Sequence, residues 1–257
     1  MPETQSFGES PWYELYFEER YLRAYGPLLA TVDVPAEVDS VVRELQIAPG
    51  ARILDLCCGQ GRHAVELARR GFRVTGLDLS DHLLGRAREK ARESGVQLEL
   101  VRGDMREIPW TGEFDAAINM FTAFGYFEDD RENHRVLEGV ARSLLPGGRF
   151  YLDTASFTWL LRHWETLAWT PGEGGLLQLQ DRRMDWLRGI QRTQHLFVEP
   201  DGSRQALATN LRLYLPHELA SLLRSAGLEV EKLLGDRAGG EFGMDSSRLI
   251  LVAMKPA

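Results

Sequence analysis

The stretch Ile53-Leu54-Asp55-Leu56-Cys57-Cys58-Gly59-Gln60-Gly61-Arg62-His63 decides the fold. An apolar run ends in an acid, two thiols and a Gly-x-Gly, and a helix-forming segment follows. Glycines at such a junction let the backbone turn tightly and let a ligand approach it closely. Alone the pattern is ambiguous, because Gly59-x-Gly61-x-x-Ala64 also satisfies a dinucleotide fingerprint. Asp55 separates the two readings. A carboxylate placed there repels a pyrophosphate and attracts a cationic ligand that carries an amino group.

Outward from this stretch the chain alternates apolar runs with amphipathic ones. Ala51–Leu56, Phe72–Leu77, Gln97–Val101, Phe114–Asn119 and Gly148–Leu152 are expected to be strands. Arg62–Arg70, Asp81–Ser94 and Asp130–Leu145 are expected to be helices between them. Strands and helices alternating at this length imply an α/β fold, a doubly wound parallel sheet with helices on both faces. Beyond about residue 156 the pattern changes. Leu176–Met184, Ile190–Val198 and Gln205–Leu213 are β-prone, and Pro200-Asp201-Gly202-Ser203 makes a turn between the last two. A small antiparallel insertion over 156–213 is expected, serving as substrate pocket or dimer contact. Pro216 then opens a helix that Gly227 closes, and Leu228–Leu234 and Arg248–Met254 form a closing antiparallel pair. The domain reading is therefore 1–46 as an N-terminal helical lid, 47–155 with 214–257 as the ligand-binding domain, and 156–213 as the insertion.

Further acids fall at the ends of the expected strands, where open α/β sheets bind ligands. Asp78 closes the second strand ahead of Leu79 and Ser80, and a carboxylate there can accept from both hydroxyls of a ribose. Gly103-Asp104-Met105 follows the third, placing an acceptor for an adenine amino group beside a flat apolar contact. Asn119-Met120-Phe121 closes the fourth, at the mouth where the reactive end of a cofactor belongs. With Asp55 these favour S-adenosylmethionine over NAD.

Together, ILDLCCGQGRH, VTGLDLS, GDMREIPW, FDAAINMFTAFGYF and LLPGGRFYLD over 51–155 resemble the class I S-adenosylmethionine-dependent methyltransferases. The aromatic N-terminus, the insertion and the ending GDRAGGEFGMDSSRLILVAMK resemble the small-molecule branch, sugar-amine N-methyltransferases included. The resemblance implies a seven-stranded Rossmann-like sheet, mostly parallel with an antiparallel last strand. It implies a methyltransferase acting on a small molecule at N or O. Asp55, Gly59 and Gly61 would hold the methionine portion, with Cys57 and Gln60 beside them. Asp78, Leu79 and Ser80 would hold the ribose, and Asp104 and Met105 the adenine. Asn119, Met120, Phe121 and Tyr21 would lie near the reactive end.

Composition narrows the rest. The 257 residues carry a net charge of −8, which disfavours a grip on nucleic acid, where basic patches supply the attraction. The fourth strand also lacks the Asn-Pro-Pro-Tyr type of loop used on flipped bases. No run approaches the roughly 18 apolar residues of a membrane span, and the opening MPETQSFGES is not a secretory signal. Cys57 and Cys58 are neighbours, so a reduced, cytoplasmic protein is expected, as monomer or homodimer. The six histidines are scattered in no metal-binding pattern.

Several residues keep two readings. Cys57 and Cys58 are expected to fill space behind the glycine loop, and His63 to pack or touch cofactor before serving as a base. Trp12, Tyr13, Tyr16 and Tyr21 form either ordinary helix faces or a lid that shields a sulfonium. Tyr126 and Phe127 are core or pocket wall. Trp159, Trp164 and Trp169 pack the insertion or line an acceptor pocket. His163, His195 and Asp245 are the candidate bases. An NAD-dependent oxidoreductase and a non-catalytic S-adenosylmethionine-binding protein remain the alternatives.

Overall fold

In the computed structural model the chain is described over residues 11–257; the first ten, part of the expected lid, lie outside the described residues. Three helices open it, α1 (Trp12–Tyr16), α2 (Glu19–Leu29) and α3 (Val34–Leu45). The alternating region follows as β1 (Arg52–Leu56), α4 (Arg62–Arg69), β2 (Arg73–Asp78), α5 (Asp81–Glu93), β3 (Glu99–Arg102), β4 (Phe114–Asn119), α6 (Asp130–Ser143) and β5 (Leu144–Ala155). The insertion holds α7 (Phe157–Arg162) and strands β6 (Leu167–Pro171), β7 (Leu177–Asp185), β8 (Ile190–Val198) and β9 (Arg204–Arg212). Helix α8 (Pro216–Ser225) and strands β10 (Glu229–Leu234) and β11 (Arg248–Met254) close the chain.

The main sheet has seven strands in the order β10-β11-β5-β4-β1-β2-β3. Strand β11 runs antiparallel to both β5 and β10, and the remaining pairs are parallel. The expected architecture is present. Strands β1, β2 and β4 are buried on both faces, which is why they read as near-continuous apolar runs. One face packs around Leu54, Phe114, Leu137 and Phe150, the other around Val41, Ile53, Leu67 and Tyr151. The chain order reverses between β1 and β4, and the carboxyl ends of the strands on either side frame the cleft that such a reversal opens.

The insertion is a separate antiparallel sheet, β6-β7-β8-β9, one strand larger than its sequence suggested. Helices α1 and α2 close over it through Tyr16, Ala24, Leu176, Phe197 and Leu207. Helix α3 instead packs on the main sheet through Val38, Val41 and Leu45, so the N-terminal helices divide between the two layers.

Candidate functional site

A cavity of about 930 Å³, mouth included, lies in the cleft beside β1, β2 and β4. Its floor is the turn from β1 into α4. Cys57 (φ 60°) and Gly59 (φ 54°) take left-handed backbone there. A Cβ on Gly59 would meet only Leu83, at 3.8 Å, and would otherwise fill the cavity. Asp55, Cys57, Gly59 and Gln60 line this floor, Asp78 and Leu79 one side, Asp104 and Met105 the next. Met120, Phe121 and Tyr21 complete the wall. Eleven of the fourteen residues expected to hold the cofactor therefore converge on one space.

The charges in that space are unusual. Asp55 is buried, and among the described residues its Oδ2 has no hydrogen-bond partner. Burial, and then the neighbouring Asp78, push its carboxyl up to about 7. Burial also raises Asp78, although its Oδ2 accepts from Gly59 N–H (2.8 Å) and its Oδ1 from Ser80 N–H (2.9 Å). Arg62, the first residue of α4, lines the same floor with a buried Nη1 that has no partner among the described residues. Its guanidinium lies 4.8 Å from the Phe121 ring centroid. A buried anion and a buried cation, each left with an open valence, suit a ligand that carries both an ammonium and a carboxylate. The amino-acid end of S-adenosylmethionine is such a group, and Asp78 offers lone pairs to a ribose at the tip of β2. The residues present fit that cofactor.

Three of the fourteen residues expected to hold the cofactor do not line the cavity. Gly61 (φ 74°) is a packing glycine, since a Cβ there would come within 2.9 Å of Ala87 Cβ on α5. Ser80 caps α5, its Oγ accepting from Leu83 N–H (3.1 Å) and donating to the Phe17 carbonyl (2.7 Å). Asn119 is fully buried and ties β4 to the Leu56 carbonyl (3.0 Å). Asp104 does line the cavity, but both its oxygens accept from Arg106. Arg62, Phe17 and Ala123 were not anticipated. An arginine opening a helix reads as solvent-facing until Phe121 and Tyr21 are known to cover it. Both cysteines line the cavity; Cys58 also packs its side chain against Gly76, and Cys57 lies with its Sγ 3.5 Å from Met105 Sδ. His63 lines the cavity, buried and bonded to Glu37 (2.8 Å), and burial lowers its pKa.

A second cavity, about 1570 Å³ with its mouth, lies between α1, α2, α7 and the inner face of the insertion sheet. Phe17, Tyr21, Phe121 and Tyr126 line both cavities and so form the wall between them. Phe17 stacks on Tyr126 (5.6 Å, 24°) and meets Tyr21 edge-on (5.1 Å). Burial raises both phenols, which stay neutral. Phe121 and Thr122 take left-handed backbone (φ 65° and 64°), a strain of about 1–3 kcal/mol each. The fully buried Asp153 holds this turn. It accepts from Phe121 N–H (3.0 Å), Arg248 Nε (2.6 Å) and Arg237 Nε (2.9 Å). Burial alone would raise its carboxyl, but the two arginines hold it below the usual range.

Trp159 and Trp164 line the second cavity, while Trp169 sits on edge strand β6, 68% exposed, and lines neither cavity. Among the candidate bases, Asp245 is outside the cavity and paired with Arg162. His163 lines it, stacked on Trp159 at 4.3 Å. His195 lines it too, but burial and then Arg182 push its pKa down to about 4. Both its ring nitrogens are engaged, with Gln178 (2.9 Å) and Thr209 (3.0 Å).

Residues 53–148 match the methyltransferase-domain family. This segment is a methyltransferase domain. Over 92% of the chain and 96% of its own length, the cypemycin N-terminal methyltransferase of a Streptomyces species is 26% identical. The putative methyltransferase YqeM of Bacillus subtilis is 37% identical over 44% of the chain, and the match spans about half of that relative (46%). In three dimensions the chain is similar to the sugar N-methyltransferase KedS8 of a Streptoalloteichus species. The TM-score is 0.71 at 22% identity, covering 100% of this chain and 98% of that one. The fold is the Rossmann-like one of S-adenosylmethionine-dependent methyltransferases. The oxidoreductase alternative finds no support in the family match.

Proposed function

We propose that the chain transfers a methyl group from S-adenosylmethionine to a small-molecule acceptor, at nitrogen or oxygen. The observation that carries this reading is the pair of cavities with one aromatic wall in common. The first is built for a zwitterion; the second is roomy and open, its aromatic walls interrupted by the polar side chains of the insertion sheet. When bound, S-adenosylmethionine supplies a methyl group on a positively charged sulfur. Asp55 takes the ammonium, Arg62 the carboxylate and Asp78 the ribose hydroxyls. Cys57, Leu79 and Met105 offer apolar surface, with Asp104 at the adenine edge. Phe17, Tyr21, Phe121 and Tyr126 would exclude water and offer aromatic surface to the cation, each ring–cation contact worth about 0.5–2 kcal/mol. The insertion, with α1 and α2, holds the acceptor against that wall. Holding it in line with the methyl contributes up to about 7–11 kcal/mol of the acceleration. A neutral amine needs no base for this, and neither His195 nor the phenols of the wall supply one near neutrality.

Two unbridged thiols suit a reducing, cytoplasmic setting. The test is calorimetry with S-adenosylmethionine and NAD, followed by incubation with metabolite extract and methyl-labelled cofactor. Saturable binding of the first, no binding of the second and appearance of S-adenosylhomocysteine support the reading. Binding without any turnover would favour a sensor.

A further inference from the structure

Across the inner face of the insertion sheet, Arg182 on β7, Thr193 on β8 and Thr209 on β9 stand directly opposite one another in register. All three line the second cavity. Among the described residues Arg182 has no carboxylate within 4.0 Å, although most arginines of the chain are paired. Its side chain bonds only the Gln180 amide oxygen and the Glu165 backbone carbonyl (3.5 Å). Glu165 is the one carboxylate residue of the cavity lining, and it forms no ion pair with Arg182.

The hydroxyls beside it are polarised the same way. Gln191 Nε2 donates to Thr193 Oγ1 at 3.1 Å. The Gln178 amide donates to His195 Nδ1 (2.9 Å), which puts the ring proton on Nε2 and makes Thr209 Oγ1 its acceptor at 3.0 Å. Each threonine oxygen accepts a hydrogen bond from the sheet and keeps its own O–H to donate. The row therefore presents an unneutralised guanidinium and two hydroxyl donors. We infer that this row binds an anionic, oxygen-rich group of the acceptor, a phosphate or a carboxylate, while the methylated atom faces the aromatic wall. The assignment rests on the second cavity being the acceptor site. It narrows the substrate class from any small molecule to one carrying an anion away from its nucleophile.

The full chain, saturated with S-adenosylhomocysteine, is titrated with pyrophosphate, with glutarate and with pentane-1,5-diol. Fluorescence reports binding, because Trp12, Trp159 and Trp164 line the cavity. At least one anion is expected to bind saturably and the diol not, pyrophosphate winning for a phosphate site and glutarate for a carboxylate site. Arg182→Gln is expected to weaken that binding by about tenfold or more, as loss of a charge-assisted hydrogen bond does. Arg182→Lys should fall between the two, and Arg183→Gln, on the outer face beside Asp181, should match the parent. Folding of each variant is checked by its unchanged affinity for S-adenosylhomocysteine. Equal anion binding by parent and Arg182→Gln, or none by the parent, overturns the proposal and leaves the methyltransferase reading standing. Failure of the parent to bind S-adenosylhomocysteine overturns both.

Discussion

Replacing Asp55 by asparagine should stabilise the ligand-free protein, and the gain should grow with pH. Asp55 is buried with an orphaned oxygen, and its carboxyl is raised from an ordinary 3.8 to about 7. A raised carboxylate binds its proton in the folded chain where the unfolded chain has already lost it. Stability from this group is therefore lost as pH climbs from about 4 to about 7. The substituted amide cannot ionise and escapes that loss. Between pH 5 and 8 the folded parent still has about two pH units of titration to complete. At 1.36 kcal/mol per unit the advantage of Asp55→Asn should widen by about 3 kcal/mol over that interval. Groups away from Asp55 titrate alike in both proteins and cancel, as does the fixed penalty of an unpartnered amide; Asp78, coupled to Asp55, titrates more easily once that charge is gone, which adds to the widening. For a chain of this size the widening is roughly 6–12 °C in Tm. Thermal denaturation of both proteins without cofactor, at pH 5, 6, 7 and 8, reads it. A difference in Tm that stays flat across the series would refute the buried, unpaired charge. The same variant should bind S-adenosylmethionine more weakly, so stability and affinity are expected to move in opposite directions.

Arg62→Gln should weaken S-adenosylmethionine about tenfold or more in calorimetry and leave an analogue lacking the carboxylate almost unaffected. Gly61→Ala places a Cβ within 2.9 Å of Ala87 Cβ at φ 74°, so it should lower stability in chemical denaturation by about 2 kcal/mol or more. Asp153→Asn leaves Arg237 and Arg248 short of their buried partner and should cost about 3–5 kcal/mol, read in urea. His195, whose folded pKa is depressed to about 4, contributes stability that is lost as pH falls from 6.5 towards 4. Its ring resonances should accordingly show no titration between pH 5.5 and 8, and an inflection near neutrality would contradict its burial.

The main sheet was legible because buried parallel strands leave continuous apolar runs and the acids stand at their ends. Asp55 and Asp78 could be placed from chemistry alone, since a strand tip and a glycine turn fix where a carboxylate points. Gly61 was not separable from Gly59: a glycine spared a clash with Ala87 and a glycine opened to a ligand look identical in one dimension. Ser80 and Asn119 carry polar groups in the right place and spend them on a helix cap and on a neighbouring strand. Strand β6 and helix α7 are short, and neither buries a regular face that periodicity could register. Arg62 and the Arg182 row depend on contacts between distant segments, which local pattern does not record.

The most direct measurement is a crystal structure of the chain with S-adenosylhomocysteine. The account predicts the amino group on Asp55, the carboxylate on Arg62, the ribose on Asp78 and the sulfur facing Phe17, Tyr21, Phe121 and Tyr126. A nucleoside lodged in the second cavity, or a sulfur turned away from that wall, would contradict it.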